Sequence, residues 1–106
     1  FTQNNPRFMQ PDYAANIVST DKFRHYASDH GMAAATLAIY WLLHQGGHIL
    51  PIPGTRSVEH LAQAAAAMSL TLTTDMVAEI ETILPVGWAA GDRYSTTQWF
   101  GPERFC

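Results

Sequence analysis

What is scarce in this chain narrows the field first. Cysteine occurs once, as Cys106, so no internal disulfide can form, and a reducing, cytoplasmic compartment is expected. Charged residues make up only 14% of the 106, well under the usual quarter, while hydrophobic residues reach 47%. A small domain so poor in charge and rich in alanine suggests surfaces meant for a partner, either another chain or more of its own. Lys and Arg form no run and the net charge is −3, so the basic footprint of a nucleic-acid binder is missing. No apolar run approaches the roughly 20 residues of a membrane span, and no signal-peptide pattern opens the chain. The first residue is Phe1 rather than methionine, which reads as a cut from something longer.

Recognisable chemistry is scarce as well. There is no GxGxxG dinucleotide fingerprint and no GxxxxGK[ST] phosphate loop. His25, His30, His44, His48 and His60 lack metal-ligand spacing and nearby cysteines, so no metal is expected. Glu79 and Glu81 are two apart on a helical pattern, point to different sides, and read as a solvated face. Tyr40 and Trp41 read as core rather than as a stacking platform. No Ser–His–Asp or Cys–His set can be assembled.

What is present is mostly helical. Residues 1–12, with two prolines, read as loop. From Tyr13 to His30, Ile17, Thr20, Phe23 and Ala27 fall on one stripe with Tyr26 beside it, and Gly31 is placed to cap the end. Residues 33–45 form a helix without charge on any face, the pattern of a helix buried all round. Ser57 can cap a helix reaching roughly Met68, with Leu61 on its inner face and Ala64 to Ala67 allowing close packing. After the link SLTL, Thr73 can cap a last helix in which Asp75 suits the dipole and Val77, Ile80, Ile83 and Leu84 line one face. Pro85 stops it. Residues 86–106 read as an irregular aromatic tail carrying Trp88, Tyr94, Trp99, Phe100 and Phe105.

One stretch breaks the helical pattern. His48 to Ile52 is a short apolar run bounded by glycine and proline, as in a strand covered on both faces. A lone strand has no ladder, and burial would orphan its backbone donors and acceptors. Residues 1–106 therefore read as one incomplete domain. The strand leads into Gly54-Thr55-Arg56-Ser57 and then a helix, and a helix N-terminus presents free N–H groups to an anion. Gly54 permits close backbone approach, Thr55 and Ser57 carry hydroxyls, and Arg56 carries a planar charged fork suited to a phosphate monoester. Two readings of this joint stand, an anion site and a plain structural turn. His60, one turn into the helix, shares them, facing the same anion or simply solvated.

Taken in order, NPRF (5–8), a helix ending in DHG (29–31), LAIYWLLHQ (37–45), ILPIPGTRSVEHLAQ (49–63), LTTDMVAEIETILP (72–85) and AAGDRY (89–94) resemble the C-terminal part of the aldo-keto reductases. The resemblance implies an α/β fold, the last third of a (β/α)8 TIM barrel, mostly helical, with 48–52 as one barrel strand. It implies a parent enzyme that reduces aldehydes or ketones with NADPH, NADH being possible, and a small-molecule carbonyl compound as its partner. In that family the turn after this strand holds the cofactor's 2′-phosphate and the next helix its adenine. Carried across, Gly54, Thr55 and Arg56 meet the phosphate. His60 stands where an arginine is usual, Gln63 where Glu or Gln meets adenine, and Ala64 where asparagine is common, so Arg56 is left to replace a missing charge. The family's catalytic Asp, Tyr, Lys and His belong to earlier strands and none is matched, so the chain alone is expected to be inactive. The aromatic tail walls the substrate site or packs across the barrel mouth. In the competing reading the chain is a small self-associating helical interaction module without enzymatic activity.

Overall fold

A computed structural model describes residues 4–99. Four helices carry the fold: α1 (Asp12–Asp29), α2 (Ala34–His44), α3 (Val58–Ala66) and α4 (Thr74–Ile83). Short 3-10 turns occupy Pro6–Phe8, Ala67–Ser69 and Thr96–Gln98, so neither the leading segment nor the tail is wholly irregular.

The helix ends follow local chemistry. Ser57 and Thr73 cap α3 and α4, their hydroxyls accepting from the backbone N–H groups of His60 (3.4 Å) and Met76 (3.2 Å). α1 closes with Gly31 at φ +69°. The Gly31 N–H donates to the Ser28 carbonyl and the Met32 N–H to the Ala27 carbonyl, both at 2.9 Å, the paired bonds of a Schellman end. A left-handed residue is required there, which is why glycine occupies it.

The core is small. Phe23 and Ala27 of α1, Leu37 of α2, Ile80 of α4 and Leu72 before it are buried, with Tyr26, Met32, Tyr40, Trp41, Val77, Ile83 and Leu84 packed around them. Leu72 lies in the linker before α4, outside every helical stripe. Its backbone N–H donates to the Tyr40 hydroxyl at 3.3 Å, which pins the linker to α2.

Four expectations need correction. No strand forms among the described residues, and 49–55 has no regular structure. Leu50 and Ile52 are 83% and 93% exposed, the opposite of a covered strand. No neighbouring strand supplies a ladder, and Pro51 and Pro53 lack N–H donors, which strips one edge of the run. Second, α2 is not buried all round: Thr36 and Leu37 are covered, while Leu42 is 40% exposed. Third, Leu61 points outward and α3 packs through Ala64 and the following Ala67 instead. Fourth, the outer end of the α1 stripe is uncovered at Ile17. Each has one physical cause, since the described residues offer too few elements to cover these faces.

Candidate functional site

The turn from Pro53 to Ser57 and the first turn of α3 form the candidate site. α3 is held from behind by the buried Thr36 hydroxyl, which donates to the Gln63 carbonyl at 2.7 Å and ties the helix to α2. Nothing but its place as a polar residue in an apolar helix marked Thr36 in the sequence.

The hydroxyls of the turn are already engaged. Thr55 Oγ1 accepts from the Ser57 N–H and donates to the Ser57 carbonyl, each at 3.1 Å, while Ser57 Oγ caps the His60 N–H. These bonds gather Thr55, Ser57 and His60 at the start of α3. Arg56 is exposed between them and makes no hydrogen bond or ion pair among the described residues. Gly54 has open space where a Cβ would point and no left-handed backbone, so the chain itself does not demand glycine there. Two N–H groups of the first turn, those of Val58 and Glu59, have no intrahelical partner by the geometry of any helix.

Gln63 is drawn elsewhere. Its amide donates to the Glu59 carboxylate at 3.4 Å, along the outer side of α3. No motif in the sequence singles out Glu59, yet it matters, because a carboxylate in the first turn opposes an incoming anion even as it suits the helix dipole. His60 is exposed on the same turn. The charge available to an anion therefore rests on Arg56 and the helix end.

The remaining candidates resolve into structural roles. His25 and His30 bond through Nδ1 to the carbonyls of Asp21 (2.7 Å) and Tyr26 (2.9 Å), one turn back in each case. No three His, Cys, Asp or Glu residues gather among the described residues. Glu79 is not merely solvated: it accepts from the Tyr26 hydroxyl at 2.7 Å and links α4 to α1. Burial, and then the Glu79 hydrogen bond and charge, push the Tyr26 phenol up to about 12. Cys106, Phe105 and Phe100 lie outside the described residues. No described helix is long and apolar enough to cross a membrane.

Comparison with known proteins gives the site its setting. The model of the Aldo/keto reductase family matches residues 1–85. "Probable aldo-keto reductase 1" of Glycine max is 33% identical over 90 residues, covering 85% of this chain and 26% of that protein. The chain thus spans about a quarter of the length of this curated relative. No solved structure matches.

Proposed function

We propose, from the premise that this chain belongs to the aldo/keto reductase family, that it supplies the cofactor-phosphate turn of an oxidoreductase reducing aldehydes or ketones with NADPH. The observation that carries the reading is Arg56, an exposed guanidinium without a partner among the described residues, at the mouth of a capped helix. Among the residues named from the sequence, Arg56 and the first N–H groups of α3 fit a phosphate monoester best. Thr55 and Ser57 act one step back, holding the turn through their own hydrogen bonds. Gly54 leaves the approach open, and His60 borders it. Gln63 would meet adenine only after leaving Glu59.

The bound nicotinamide would supply the hydride, and this chain's part is to bind and orient the far end of the cofactor. In this reading the chain is one part of an eight-stranded barrel, and it turns nothing over by itself. The surface is in keeping with that. The accessible area is 7852 Å², whereas a compact monomer of this mass shows about 5,900 Å². The test is Arg56→Ala in the longest natural chain carrying these residues. The Michaelis constant for NADPH should rise about tenfold, the loss of one charge-assisted contact, with NADH little changed. Equal effects on both cofactors would remove Arg56 from the phosphate role.

A further inference from the structure

A groove of about 760 Å³ runs between α2 and α4, walled by Trp41 and Leu42 on one side and Ile80 and Leu84 on the other. Phe23 of α1 and the segment after α4, through Val86 and Trp88, complete its walls. Trp41, which lines the groove, keeps its Nε1 donor buried and without a hydrogen-bond partner among the described residues. The segment turns tightly, the Trp88 N–H donating to the Pro85 carbonyl at 2.9 Å with Gly87 at φ +79°.

Two residues beyond Trp88 the chain is fastened. The Asn16 side chain pairs with Ala90 as a strand neighbour would: Nδ2 donates to the Ala90 carbonyl (3.0 Å) and Oδ1 accepts from its N–H (2.8 Å). The same amide donates to the Arg7 carbonyl at 3.0 Å, and Arg7 Nε donates to the Gly91 carbonyl at 3.2 Å. Asn5, itself buried, donates to the Arg93 carbonyl at 2.7 Å. Gly91 is at φ +83°, and a Cβ there would stand 2.6 Å from Asp12 Oδ2. The fastening is polar throughout. None of the buried hydrophobic residues of the core comes from the segment 85–93.

We infer that residues 85–93 are a strap over the groove, latched at Asn16, which opens as a unit while the four helices stay packed. Segments held by few apolar contacts and by hydrogen bonds near solvent open at lower free energy than the core they lie on. Opening would bring solvent to the Trp41 indole N–H, the one buried side-chain donor that the closed form leaves unsatisfied among the described residues. This inference is independent of the cofactor reading.

The test is amide hydrogen exchange, followed by NMR together with the Trp41 indole N–H, in wild type, Asn16→Ala and Gly91→Ala. The second variant breaks the latch from the strap side, substituting no residue of α1 and crowding only the Asp12 side chain at its first position and the Arg7 backbone N–H. Amides of 86–93 and the indole N–H should exchange about tenfold faster in both variants, with the helical amides nearly unchanged. Unchanged exchange at 86–93 would show that Asn16 latches nothing. Acceleration of all four helices together, or failure of both variants to fold, would make the segment part of one cooperative unit. Faster amides with an unaffected indole would mean that the strap does not close the groove. Any of these three results overturns the inference.

Discussion

At the scale of single residues, the Tyr26–Glu79 pair makes the clearest thermodynamic statement. The folded chain holds the Tyr26 proton more tightly than the unfolded one, with values of about 12 and 10.0. Its stabilisation is therefore complete below pH 10 and is lost as pH rises from 10 towards 12. Urea midpoints measured across that window should fall more steeply for wild type than for Tyr26→Phe. Parallel slopes would mean that the hydroxyl keeps no special partner in solution. Leu37 gives the packing counterpart. Among the described residues it is the largest side chain with no exposure at all, so Leu37→Ala should cost about 2–5 kcal/mol in denaturant unfolding. A loss below about 1 kcal/mol would place it at a site that collapses freely.

At the scale of elements, the division between what was legible and what was not is physical. Ser57, Thr73 and Gly31 could be placed from sequence because a cap is settled within four or five residues. The α4 face was legible for the same reason, since Ile80 and its neighbours repeat at the helical period. The strand at 48–52 was not, because a ladder is a property of two segments and only one was in view. Leu61 failed likewise: an apolar residue marks a face that could be covered, and coverage depends on a neighbour. Leu72 and the Asn5–Arg7–Asn16 fastening left no local trace at all. As for 48–52, Leu50→Asp and Ile52→Asp should each change the stability of this chain by less than about 0.5 kcal/mol, as exposed positions do. A large loss in equilibrium unfolding would mean that these side chains are covered in solution.

At the scale of the whole molecule, the chain is looser than its length requires. The radius of gyration is 15.1 Å, against about 13 Å for a compact domain of this size. The candidate site shows the same division between parts and whole. Its cap, its Arg56 and its attachment through Thr36 are complete within these residues. In the proposed reading, the groups that would face a cofactor's reactive end belong to no residue named here. Family membership favours an enzyme part over a free-standing interaction module.

The bond from Asn5 to Arg93 spans 88 positions of the chain. In polymer terms it closes most of the described residues into a ring, and closing a flexible loop of that length costs about 4 kcal/mol of chain entropy. One hydrogen bond returns far less than that. The ends therefore cannot meet first. α1 must find α2 and α4 beforehand and shorten the ring, which makes this fastening among the last contacts to form as the chain folds and among the first to part as it unfolds.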